Sequence, residues 1–204
     1  MPKDKAISHA RIISAAKQEF LTKGFDKASI RSIASAVVMT SAALYRHFAD
    51  KEAMFSALVE PVINELNEKF EQHEAWDYQL LEQDHVELMW EEGADVTMFL
   101  DLIYDHFEEF RLLICCSEGT KYADFIHQFV LKEQDSTERY LQEAKRLGFA
   151  VKEIESEELH LLLSAYVTAL FEVVIHEFPR DKAVHYLGTV RTFFNPGWRA
   201  VLGL

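Results

Sequence analysis

The stretch Ser29-Ile-Arg-Ser-Ile-Ala-Ser-Ala-Val-Val-Met-Thr-Ser-Ala-Ala-Leu-Tyr-Arg-His-Phe-Ala-Asp-Lys51 decides how this chain is read. Ser29 and Thr40 each stand ahead of a short run with helical apolar spacing, where a hydroxyl can accept the free amides of a first turn. The first run, Ile30 to about Val37, turns Ile30, Ile33, Ala34 and Val37 to one side. The second, Ser41 to about His47, does the same with Leu44 and Phe48. Asp50 caps a further start at Lys51. Two short helices separated by about three residues, with an apolar packing helix ahead of them, form the unit that lays its second helix in a DNA major groove. Thr40 to His47 is the reading element on this pattern.

Working outward, Ile7, Ala10, Ile13, Ala16 or Lys17, Phe20 and Leu21 recur at three and four and predict a packing helix over about 6–23, with Gly24 as its left-handed cap. Beyond Lys51, Met54, Phe55, Leu58, Val62, Leu66 and Phe70 predict a long fourth helix running through Pro61. Residues 76–92 read equally as a loosely amphipathic helix or a loop, stopped by Gly93. Further helices are expected from about Asp95 to Glu108, Arg111 to Ser117, Lys121 to Leu147 with Gly148 as stop, Ser156 to His176, and Asp181 toward Phe194, where Asn195-Pro196-Gly197 is expected to break the last. With only 7 Gly and 4 Pro in 204 residues, too few for a turn-rich sandwich or barrel, the fold class is all-α. The expected organisation is a three-helix N-terminal domain, 1–50, and a helical bundle, 51–204, with the boundary inside the fourth helix.

Charge is split between these parts. The chain carries −13, yet residues 1–55 hold nine Lys and Arg against five Asp and Glu, a local +4 that leaves −17 on the remainder. A basic head on an acidic body confines any phosphate contact to the head. Cys115 and Cys116 are adjacent, which excludes a disulfide framework and fits a reducing, cytoplasmic compartment. The most apolar stretch, Leu159 to Ile175, is interrupted by His160 and Glu172 and is read as a core helix, with no membrane partner.

Gly24-Phe25, Ser29-Ile-Arg-Ser-Ile-Ala34, Ala43-Leu-Tyr-Arg-His-Phe48 and Lys51-Glu52 together resemble, in order and spacing over about residues 6–58, the head of TetR-family transcriptional regulators. The resemblance implies a homodimer with two reading helices, a body that dimerises through its last two helices, and an effector pocket that alters affinity for double-stranded DNA. It places Tyr45 and Lys51 at phosphate-contacting positions, with His47 and Arg31 of the same type, and a phenol and an ammonium near helix ends suit phosphate oxygens. Thr40, Ser41, Ala42 and Ala43 face bases, with only a hydroxyl or methyl to offer. Arg46 is the one long donor and reaches either a guanine or a phosphate. Tyr45, Leu44 and Phe48 can also be read as core of a plain three-helix bundle. Val38 departs from the family pattern, which has glycine in that turn, so either the turn is rebuilt or strain is tolerated.

In the body, Phe99, Ile103, Phe107, Cys115, Phe125, Phe129 and Tyr166 are the expected lining of a pocket for an unidentified small molecule, cationic or neutral given the acidic surface. Leu162, Ala165, Ala169 and Val173 form one small-residue face and Val184, Leu187, Val190 and Phe194 a second. Paired across a two-fold axis they make a dimer interface; packed on each other they make an intrachain hairpin. Glu82-x-x-His85, Asp124-x-x-His127 and Glu157-x-x-His160 carry the spacing of di-iron bundles, but nine His among 34 acids generate such pairs by chance. No phosphate-cradling glycine loop, serine nucleophile motif or zinc-spaced cysteine set is present, so the chain reads as no enzyme, with no cofactor or metal. The competing reading is a helical dimer that binds ligand or protein partners without reading DNA sequence.

Overall fold

The computed structural model describes the backbone of residues 2–90 and 94–204 and the side chains of 8–90 and 99–204. The stop assigned to Gly93 and the side chain of Ile7 lie outside these residues. Among the described residues the regular structure is all helical, without strands. Its helices are α1 (Pro2–Lys27), α2 (Ile30–Ala36), α3 (Ser41–Leu44), α4 (Lys51–Glu82), α5 (Ala94–Asp105), α6 (Phe107–Cys115), α7 (Phe125–Leu147), α8 (Ser156–Ile175) and α9 (Arg180–Leu202), with a 3-10 turn at Val86–Trp90.

Two compact units form. The first comprises residues 1–65 and 106–123, the second 66–105 and 124–204, so the chain passes between them within α4, at 105/106 and at 123/124. The sequence reading divides the chain at residue 50 by the end of its three-helix pattern; the compact first unit also takes in the start of α4 and the whole of α6. The first unit is built on Ile12, Ala16, Phe20, Ile33, Ala34, Leu44, Phe48, Met54, Phe55, Phe110, Leu112 and Leu113, all buried. On α1 the buried stripe is Ile12, Ala16 and Phe20, while Ala10 is exposed and Ile13 half-buried. Phe20, Phe25 and Phe55 form an aromatic triangle with centroids 5.3–5.7 Å apart. Segment 106–123 is fastened to it by the Phe25 amide donating to Cys116 O at 2.8 Å, and by Lys17 paired with Glu108 at 3.0 Å and Glu109 at 2.7 Å. The Tyr122 hydroxyl donates to Glu60 at 2.7 Å.

Gly24 interrupts α1 at φ 74°, ψ 162°, an extended left-handed conformation that only glycine adopts readily, and not the helical left-handed cap expected from the sequence. Other helix ends do close through such a cap, four of them with a paired hydrogen-bond signature. Met39 N–H donates to Ala34 O and Val38 N–H to Ser35 O; the same pairs recur at Asp84, Gly148 and Glu177. Only one of those four left-handed residues is glycine.

The second unit contains the C-terminal part of α4 with α5, α7, α8 and α9. α8 is long and apolar enough to span a membrane by length and composition, but Leu159, Leu163, Val167, Phe171, Val173 and Val174 are buried within the unit. α9 does not break at Asn195-Pro196-Gly197: it continues to Leu202, with Pro196 inside it. Trp198 and Leu202 extend the buried row of Ala183, Leu187 and Val190, and burial of that continued face outweighs the hydrogen bond proline cannot make. The helix expected from Lys121 starts at Phe125.

Candidate nucleic-acid interface and internal cavity

Ser29 caps α2 by accepting from the Ser32 amide, and Thr40 caps α3 by accepting from the Ala43 amide at 3.1 Å. Past Leu44 the chain tightens, with Arg46 N–H donating to Ala43 O and His47 N–H to Leu44 O, so α3 itself is one turn shorter than its apolar pattern suggests. Leu44 and Phe48 anchor it, fully buried or nearly so, whereas Tyr45 is half exposed. That separates the two readings of this trio: Leu44 and Phe48 are core, and Tyr45 points to solvent with Thr40, Ala42 and Arg46. Ser41, Ala43 and His47 are half-buried, and Arg31 is exposed on α2. His47 Nδ1 is enclosed with no hydrogen-bond partner.

Val38 occupies the left-handed region at φ 58° with its side chain 88% exposed. The turn between α2 and α3 is therefore not rebuilt; the strain is tolerated and the two capping hydrogen bonds are kept. Lys51 differs from its expected role. Its ammonium donates to the carbonyls of Phe25 at 2.7 Å, Asp26 at 3.2 Å and Ala28 at 3.3 Å, and lies 4.3 Å from the Phe25 ring centroid. All three donors of the ammonium are engaged at the end of α1, so its charge holds α4 to α1 instead of standing free for a phosphate.

The second unit holds a partly open cavity of about 230 Å³. Of the expected lining, Phe99, Ile103, Phe129 and Tyr166 border it. Phe107 and Cys115 do not, because α6 belongs to the first unit, and Phe125 instead packs its ring on Phe171 at 5.9 Å. Residues the sequence reading missed complete the wall: Glu74 and Asp77 from α4, Trp90, Glu133 and Tyr140 from α7, and Trp198 from α9. Trp198 was hidden by the expected break at Pro196. Glu133 was legible in principle, since it sits four residues after Phe129 and seven before Tyr140 on the apolar stripe of α7. Burial, outweighing the Lys132 charge and aided by Glu74, pushes the Glu133 carboxyl up to about 7. Burial likewise raises the Tyr140 phenol, which donates to Met89 Sδ.

Of the expected dimer residues, Leu162, Ala165 and Val184 are exposed and Ala169 is half-buried. Val173, Leu187 and Val190 are buried within the single chain and Phe194 packs on Tyr166 at 5.1 Å, so these four serve intrachain packing. A regular three-four spacing marks the inward face of a hairpin as readily as an outward one. The large apolar side chains left outside on these helices are Leu161, Leu162, Ile175, Val184 and Phe193. Among the described residues no group of three or more His, Cys, Asp or Glu is gathered to hold a metal ion; His127 and His160 meet edge to face, and His160 pairs with Gln134.

Residues 12–58 match the family model of bacterial regulatory proteins, tetR family. The family match is confined to this N-terminal segment. Within it, 53 residues are 38% identical to the HTH-type transcriptional repressor Rv1474c of Mycobacterium tuberculosis, an alignment spanning 26% of this chain and 28% of that protein. Over 92% of the chain and 95% of the other, the fold is similar to the crystal structure of NalD, the secondary repressor of the MexAB-OprM multidrug efflux pump in Pseudomonas aeruginosa, at a TM-score of 0.59 and 21% identity. The matched residues take in the capped α2 and α3 and end within α4.

Proposed function

We propose that this chain is a ligand-responsive, homodimeric regulator of transcription, acting in the cytoplasm as a repressor on a palindromic operator. The observation that carries it is the division of labour in the tetR-type head. Leu44 and Phe48 are sealed in the core while Thr40, Ala42, Tyr45 and Arg46 form an outward polar and small-residue face, the kind of face a reading helix turns to a major groove. Tyr45, Arg31 and Arg46 serve as phosphate or base donors; Lys51 acts by fixing α4 on α1. The exposed apolar residues of α8 and α9, including Leu161, Leu162, Ala165, Val184 and Phe193, support a two-fold pairing. An effector in the cavity changes DNA affinity by favouring one arrangement of the body, passed on through the three chain passages between units.

Selection of bound duplexes from a random DNA pool, then titration of the winner at two salt concentrations, tests this reading. A palindrome with half-sites spaced for a two-fold dimer, bound more weakly as salt rises, is expected. A folded dimer that enriches no sequence, alone or with cell extract, supports instead the module without DNA reading.

A further inference from the structure

We propose that the cavity of the second unit takes a small hydrophobic organic cation, a quaternary ammonium or protonated amine with an aromatic or branched hydrocarbon part, whose charge is met by Glu133. This deepens the effector reading of the cavity and rests on it.

Glu133 is half-buried and borders the cavity, its carboxyl crowded by protein and without a hydrogen bond or ion pair. The groups that could answer it are otherwise engaged. Lys132, its neighbour in sequence, donates to Asn67 at 2.7 Å and lies over the Phe70 ring at 4.3 Å. The nearby Glu74 carboxylate accepts from Ser136 at 2.7 Å and Arg139 at 2.8 Å, so that cation too is committed. A partly buried carboxyl without a partner is costly when ionised, and a cation in the cavity offsets that cost. An anion would meet Glu133, Glu74 and Asp77 together. A neutral lipophile would leave Glu133 as it stands. Phe129, one turn before Glu133 on α7, and Trp90, Tyr166 and Trp198 line the same cavity with aromatic rings, the surface on which an alkylammonium is held. The buried Trp90 indole N–H has no acceptor, so a ligand oxygen near the cationic end would gain a hydrogen bond there.

The test compares two isosteres on the full chain by calorimetry and tryptophan fluorescence. One is 2-phenoxyethyltrimethylammonium, which carries a permanent charge and an ether oxygen; the other is 3,3-dimethylbutyl phenyl ether, its neutral carbon analogue. At pH 8 the cation is expected to bind at least about tenfold more tightly than the analogue, the factor that 1.4 kcal/mol of selective charge interaction supplies. Glu133→Gln, checked for unchanged helicity, should bring the two within about threefold while leaving affinity for the analogue intact. Between pH 5.5 and 8.5 the parent should bind the cation more tightly as Glu133 ionises. Glu74, Asp77 and His73 from α4, with Lys132, Tyr140 and Tyr166, also surround the site, so that trend must vanish in Glu133→Gln. Equal affinity for both isosteres, binding of neither at millimolar concentration, or a preference that survives Glu133→Gln overturns the proposal. No DNA enters this assay: a cation that binds as described without altering operator affinity refutes the regulatory coupling and leaves the ligand class standing.

Discussion

Replacing Val38 by glycine should stabilise the protein, although it deletes an apolar side chain. The side chain is 88% exposed, so its removal forfeits almost no burial. At φ 58° a β-branched residue carries a left-handed cost of about 1–2 kcal/mol, which glycine does not. Against this, glycine enlarges the conformational freedom of the unfolded chain, a loss of about 0.4–1 kcal/mol. The balance is a gain of about 0.5–1 kcal/mol, equivalent to roughly 1–4 °C in a chain of this size. Urea and thermal unfolding followed by circular dichroism read it directly, with the urea slope held constant between parent and variant. Two internal comparisons sharpen the result. Asp84→Gly and Glu177→Gly change the same capping position without β-branching, and Asp is the more tolerant of left-handed geometry, so their gains should be smaller. Gly148→Ala does the reverse at a site where an added Cβ meets nothing within 4 Å, so it should cost about 1 kcal/mol through backbone conformation alone. An unchanged or lowered melting temperature for Val38→Gly refutes the strain argument.

Lys51→Ala should destabilise the first unit by about 1–3 kcal/mol, because the carbonyls of Phe25, Asp26 and Ala28 lose their shared donor, while the proposed DNA binding keeps the slope of its salt dependence. A variant of normal stability with a shallower slope would return Lys51 to the phosphate backbone. For Glu133, burial holds the folded-state pKa near 7 against an ordinary 4.5, so the folded protein retains a proton the unfolded chain has released, and stability is lost as pH rises through that window. Glu133→Gln should therefore exceed the parent by up to about 3 kcal/mol above pH 7, with the advantage gone below pH 4.5; denaturant midpoints across that range check it. Leu161→Asp combined with Phe193→Asp should convert the proposed dimer to a monomer in sedimentation with helicity retained, and a dimer that persists in the variant would locate the interface elsewhere.

The head was legible because its signals are local. Ser29, Thr40 and Asp50 announce helix starts by chemistry that acts within three residues, and Leu44 and Phe48 lie on one side of a short element whatever else the chain does. The body was legible as helices but not as surfaces. Val173, Leu187 and Val190 have the spacing of a contact face, and nothing in one sequence says whether the partner across that face is α8, α9 or a second copy. Pro196 illustrates the converse failure: a reliable local breaker is overridden because Trp198 and Leu202 continue a buried row. Cavity residues from α4 and α7 come together only by tertiary packing, so Glu74 and Tyr140 were invisible, whereas an acid on the apolar stripe of α7 was a readable anomaly.

The fastening of residues 106–123 to α1 and α4 bears on recombination of this gene with its relatives. A graft that exchanges only the segment matched by the family model, residues 12–58, would seat a foreign α1 against a resident Phe110, Leu112 and Leu113, and would leave Cys116 O and Tyr122 facing side chains selected with another partner. A transplantable head consists of two pieces of sequence separated by 40 residues, Met1–Glu65 and His106–Ala123, and chimeras that carry both should express and melt as the parent does where single-segment swaps do not. Drift in α1 and drift in α6 are accordingly tied to each other, although the stretches that encode them are far apart.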